Sequence, residues 1–89
     1  MKNAKELFKE LGYACYKSKY EIRYEKRWGT YGAIRTTLVF NTLTGSLKAY
    51  EELNEPSNYR MVVLIKEELD AVYQQLKEIE ENNENGKLV

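Results

Sequence analysis

The stretch Lys19-Tyr-Glu-Ile-Arg-Tyr-Glu-Lys-Arg-Trp28 decides the fold. Tyr20, Ile22, Tyr24 and Trp28 share one parity, and Lys19, Glu21, Arg23, Glu25 and Arg27 share the other. A strand points successive side chains to opposite faces, so the alternation marks a half-buried β-strand. Its inner face is aromatic and its outer face charged. Only Lys26 interrupts the apolar row. Parity places Tyr20, Ile22, Tyr24 and Trp28 in the core and Arg23 and Arg27 in solvent.

Working outward, Ala4, Leu7, Phe8 and Leu11 recur with the spacing of one helical stripe. Asn3 can cap that helix and Glu6 can complete a capping box. Gly12 stands where a left-handed residue ends a helix, and Tyr13 can fold back on Phe8 or Leu7. A first helix is expected over 3–11. Residues 13–18 carry the chain to the central strand and can extend it. Gly29-Thr-Tyr-Gly32 is a turn. Residues 33–42 alternate again, with Ile34, Thr36, Leu38 and Phe40 on one face. After a turn ending near Gly45, a third strand is expected over 47–53, with Leu47 and Ala49 inward and Lys48 and Tyr50 outward. Residues 59–65 contain Met-Val-Val-Leu-Ile and read as a fourth, edge strand, because β-branching disfavours helix. The alternative is one helix beginning at Ser57. Leu69, Val72, Tyr73, Leu76 and Ile79 form the expected core stripe of a second helix over 66–81. Residues 82–89 have little to bury and read as a disordered tail.

The fold class is therefore α+β. It is a two-layer domain over 1–81, in the order α-β-β-β-β-α. An antiparallel meander of three to four strands carries the N- and C-terminal helices on one face.

The chain has 89 residues and zero net charge, but the charge is uneven. Residues 1–50 hold ten basic and four acidic side chains, and 51–89 hold four basic and ten acidic. The two halves can neutralise each other across the fold, or leave a basic surface for an acidic partner. There is no histidine and one cysteine, Cys15. That removes the commonest general base and the usual zinc ligand sets, and leaves no intramolecular disulfide. Cys15 reads as a small core residue or a bystander thiol. No phosphate loop is present, because Gly29-Thr-Tyr-Gly32 has no following helix. No metal, cofactor or enzymatic activity is expected. No apolar run reaches the roughly 20 residues of a membrane span.

The opening Ala4-Lys-Glu-Leu-Phe-Lys-Glu-Leu-Gly-Tyr13 resembles the first helix of small accessory proteins encoded by phages and prophages of Gram-positive bacteria. Ile65-Lys-Glu-Glu-Leu-Asp-Ala-Val-Tyr-Gln-Gln-Leu76 is similar to their closing helix. The chain departs from them at Ile79-Glu-Glu, where such proteins often show Leu-Gly-Trp. The resemblance implies origin on a mobile element. With the compact fold and the absence of catalytic groups, it leads to the expectation of a non-enzymatic protein in the bacterial cytoplasm that binds and modulates a host protein, for example a defence nuclease complex.

The expected contact surface is the outer sheet face: Lys19, Arg23, Arg27, Arg35, Lys48 and Tyr50, with Tyr31 as an exposed anchor at a turn tip. Tyr and Arg dominate contact hot spots. The same face could instead be a solvated surface of cross-strand ion pairs. Nucleic acid and a homodimer stay open as alternative partners. A double-stranded RNA-binding domain is disfavoured, since Lys66-Glu67-Glu68 stands where that family carries a lysine cluster.

Overall fold

A computed structural model describes residues 2–53, 59–60 and 62–86. Helix α1 spans Ala4–Glu10 and helix α2 spans Lys66–Gly86. Between them lie β1 (Ala14–Lys17), β2 (Glu21–Trp28), β3 (Ile34–Asn41), β4 (Leu47–Leu53) and β5 (Tyr59–Arg60). The strands form one antiparallel meander in chain order. The fold is α+β, as expected, with a helix at each end of the meander.

Both ends of α1 follow from sequence. The Glu6 N–H donates to Asn3 Oδ1 at 2.9 Å, and the Asn3 N–H donates to Glu6 Oε1 at 3.2 Å, completing the capping box. After the helix, Gly12 takes φ +93°, and the Tyr13 N–H reaches the Phe8 carbonyl at 3.0 Å. This Schellman closure folds the Tyr13 ring edge-on to Phe8, with centroids 5.3 Å apart. Seven residues are too few for a stable isolated helix, so α1 depends on this packing. Phe8 stacks on Tyr24 at 4.0 Å, and Phe40 meets both rings edge-on. These aromatics, with Leu38, Ala71, Val72 and Ile79, form the core between sheet and helices.

Several expectations change. Residues 14–17 make a strand of their own rather than an extension of β2, since Ser18–Tyr20 bend the chain back between them. The central strand begins at Glu21. Tyr20 therefore lies outside it and is 46 % exposed, not buried. Trp28 ends β2 and is 39 % exposed, also not buried; its indole N–H donates to Thr36 Oγ1 at 2.8 Å. Ile22 is half-buried against the core. Ala49 faces inward by register but stays exposed.

The expected edge strand over 59–65 shrinks to the two residues of β5; residues 62–65 are in no strand or helix, and Met61 lies outside the described residues. The helix begins at Lys66 as expected. The Ile65 carbonyl accepts its first bond from the Leu69 N–H, and the Ile65 N–H donates to Glu68 Oε1 at 3.0 Å. That back-reaching glutamate sets the start; residues 59–60 and 62–65 are not helical, and Ser57, the alternative start, lies outside the described residues. The tail expected from residue 82 also gives way, because α2 stays helical through 82–86. The Asn83 amide, donating to the Leu43 carbonyl at 3.3 Å, ties this last part to the β3–β4 turn. Residues 87–89 lie outside the described residues.

The largest correction is the rotation of α2. Its buried face is Glu68, Ala71, Val72, Gln75 and Ile79, while Leu69 is 48 % and Tyr73 78 % exposed. Two polar residues thus replace two apolar ones toward the core. The Tyr13 hydroxyl donates to Glu68, and the Tyr24 hydroxyl donates to Gln75 Oε1 at 2.6 Å. Buried polar groups are tolerated when hydrogen-bonded, and the tyrosines supply those bonds. The Glu78 carboxylate accepts from the Ala4 N–H at 2.7 Å, joining the start of α1 to α2.

Candidate binding surface

Strand register assembles the outer face. Arg23, Val39 and Lys48 lie in one row across β2, β3 and β4; Glu25, Thr37 and Tyr50 in the next; and Arg27, Arg35 and Glu52 in the third. The structure thus brings Arg23, Arg27, Arg35, Lys48 and Tyr50 onto one surface. Lys19 stands apart in the bend before β2, its Nζ 5.1 Å from the Tyr20 ring centroid.

This face is less open than its composition suggests. Thr37 and Val39 point outward, yet are 1 % and 8 % exposed. The longer side chains on either side cover them: Arg23 and Lys48 flank Val39, and Glu25 and Tyr50 flank Thr37. The charges also pair. Arg23 lies 3.8 Å from Glu25, and Arg35 Nη2 lies 2.6 Å from Glu52 Oε1. The hydrogen bond to Glu52 holds the Arg35 guanidinium more firmly charged than usual. Lys48 lies 5.9 Å from the Tyr50 ring centroid. The centre of the face is a self-paired surface.

Its corner differs. Arg27 stands directly opposite Arg35, a like-charge pair that strand neighbours usually avoid. Arg35 has Glu52. Arg27 reaches the Gly32 carbonyl from Nη1 at 3.4 Å, a long contact. That carbonyl belongs to the 3₁₀ turn Thr30–Gly32, in which Tyr31 sits at φ +58° and is 99 % exposed. A non-glycine residue in this region carries a steric penalty, and here no buried contact of the ring offsets it. Tyr31 and Arg27 share one corner, while Trp28 points to the opposite face of the sheet.

The trio of buried Tyr13 and Glu68 with half-buried Lys26 was not among the expected site residues. Lys26 Nζ lies 3.4 Å from Glu68 Oε2 and 4.7 Å from the Tyr13 ring centroid. Burial alone would raise the Glu68 carboxyl. The Tyr13 hydroxyl, the Ile65 N–H and Lys26 outweigh it and hold the group below its ordinary value. Burial first, then the bond to Glu68, pushes the Tyr13 hydroxyl far upward. The signal was in the sequence: Lys26 interrupts an inward row, and a lysine there needs an acid. The trio is a closed structural unit.

Cys15 is half-buried against the core. Among the described residues, no group of three His, Cys, Asp or Glu side chains comes together, and no helix is long and apolar enough to cross a membrane. No family model, no curated protein and no solved structure matches the chain.

Proposed function

We propose that the chain is a non-enzymatic binding protein that docks onto an acidic surface of another protein through the corner formed by Arg27, Tyr31 and Arg35. The supporting observation is Tyr31, held in a left-handed backbone conformation with its ring wholly in solvent beside Arg27. Backbone strain without a stabilising contact is characteristic of positions kept for recognition. An aromatic ring and two guanidiniums on a sheet lose little freedom on docking and can grip carboxylates in forked geometry. The resemblance to phage accessory proteins makes a bacterial host protein in the cytoplasm the proposed target. Glu21, Glu25 and Glu52 lie among the cations of the face and disfavour a phosphate backbone, so protein is favoured over nucleic acid.

The test is capture from bacterial host lysate, with and without nuclease, using the unaltered chain and Arg27→Glu/Tyr31→Ala. The expected result is a nuclease-resistant partner lost at least about tenfold by the double variant, on the scale of hot-spot residues. Equal capture by the double variant refutes the corner. Capture abolished by nuclease, with a steep salt dependence, replaces the reading by nucleic-acid binding.

A further inference from the structure

One flank of α2, beside its buried face, carries an exposed apolar strip. Ile65 is 54 %, Leu69 48 % and Tyr73 78 % exposed, and Leu76 is half-buried beside them. At about 3.6 residues per turn Leu69, Tyr73 and Leu76 run along one line of α2, and Ile65, just before its first residue, continues it. Asp70, Tyr73, Leu76, Lys77 and Glu80 line a shallow groove on the same side. This strip exists because Glu68 and Gln75, rather than Leu69 and Tyr73, face the core.

The charges beside the strip say what fits it. Lys66 and Asp70 lie on its N-terminal half, and Lys77 and Glu81 on its C-terminal half. Lys66 and Glu81 are equidistant from the point midway between Tyr73 and Gln74, as are Asp70 and Lys77. A two-fold axis through that point sets each helix antiparallel to its copy and keeps each rim against the same rim. Lys66 then meets Glu81 of the second copy, and Asp70 meets Lys77, twice over. A parallel pairing, with the two-fold running along the helices, would set this rim against the opposite one and form none of these pairs. Within one chain, Lys66 Nζ already lies 2.9 Å from Asp70 Oδ2 in an exposed pair, so the dimer would extend a charge row that is partly formed.

We infer that this flank of α2 is an isologous interface, and that a second copy of this chain packs antiparallel against it. Leu69 and Tyr73 are the knobs, and the groove beside Leu76 and Lys77 receives them. The interface lies on the helix layer, away from the Arg27–Tyr31 corner on the sheet, so the two readings stand or fall separately.

Sedimentation of the full chain over a concentration series tests this. The expected result is a reversible dimer forming in the range of about 10–100 μM, as suits a small interface. Leu69→Glu/Tyr73→Glu should raise the dissociation constant at least about tenfold with an unchanged circular dichroism spectrum, since both residues are exposed. Asp70→Lys and Lys77→Asp should each weaken the dimer, and Asp70→Lys/Lys77→Asp together should restore it, because the swap rebuilds the pairs only in an antiparallel arrangement. A chain that stays monomeric throughout the series overturns the inference. So does a dimer indifferent to the Leu69/Tyr73 variant, or one that the double charge swap fails to restore.

Discussion

Among the described residues, two ion pairs join the basic first half of the chain to its acidic second half, and they sit in opposite environments. Lys26–Glu68 lies between sheet and helix, with the Glu68 side chain 7 % exposed; Arg35–Glu52 lies on the outer face, with side chains 35 % and 25 % exposed. The outer pair is the shorter, at 2.6 Å against 3.4 Å. Distance is nevertheless a poor guide to importance here. Glu68 also accepts from the Tyr13 hydroxyl and the Ile65 N–H, so it holds together the β2 lysine, the end of α1 and the start of α2. Removing it would strand a buried hydroxyl and a mostly buried cation. Removing Arg35 would release Glu52 to water.

The largest expected effect follows from that contrast. Glu68→Ala should destabilise the fold by about 3 kcal/mol, the range for breaking a buried pair while leaving its partners in place. Urea melts would measure it, and a loss under about 1 kcal/mol would show that Lys26 and Tyr13 find other partners.

Next comes pH. The folded Glu68 carboxyl binds its proton less readily than the unfolded one. Its stabilisation is therefore complete above the ordinary carboxylate range, about 4.3, and is lost as pH falls through the lower folded value. Tyr13 and Tyr24 are both raised, chiefly by burial. Their contribution is complete below the ordinary tyrosine value of about 10 and declines as pH rises beyond it. Melts between pH 2 and 7 should show an acid limb that Glu68→Gln flattens.

A smaller effect of opposite sign is expected at the corner. Tyr31→Gly should stabilise the chain by about 0.5–1 kcal/mol, because glycine takes the left-handed conformation without the clash, less its own entropy in the unfolded chain. The same change should abolish partner capture. Stability lost instead would mean that the ring packs on something in solution. The smallest effect belongs to the outer pair. Arg35→Ala should cost less than about 1 kcal/mol in melts at physiological salt, since pairs this exposed contribute little.

Residues whose neighbours are close in sequence were legible. Asn3, Glu6, Gly12 and Tyr13 define both ends of α1, and the parity of Ile22, Tyr24, Leu38 and Phe40 places the sheet over the core correctly. What failed depended on contacts across the fold. The stripe of Leu69, Val72, Tyr73, Leu76 and Ile79 was apolar and helical, yet α2 turns Glu68 and Gln75 inward, because hydroxyls 55 and 51 residues away accept that arrangement. Thr37 and Val39 were given to solvent by parity and are buried by the neighbouring strands' side chains. The outer arginines were found as a group, but only register distinguishes the self-paired Arg35 from Arg27. Tyr31 was legible as an exposed anchor because it lies in a turn between two glycines.

The position of Trp28 has an optical consequence. It is the only tryptophan in the chain, partly in solvent, adjacent to Arg27 and with its indole N–H fixed to Thr36. Its side chain lies on the helix-facing side of the sheet, opposite to Arg27. Its fluorescence therefore reports on the end of β2: unfolding would break the bond to Thr36, expose the indole fully and move the emission to longer wavelength. One native chromophore thus gives the melts of the Glu68, Tyr31 and Arg35 variants an optical readout in an unlabelled protein.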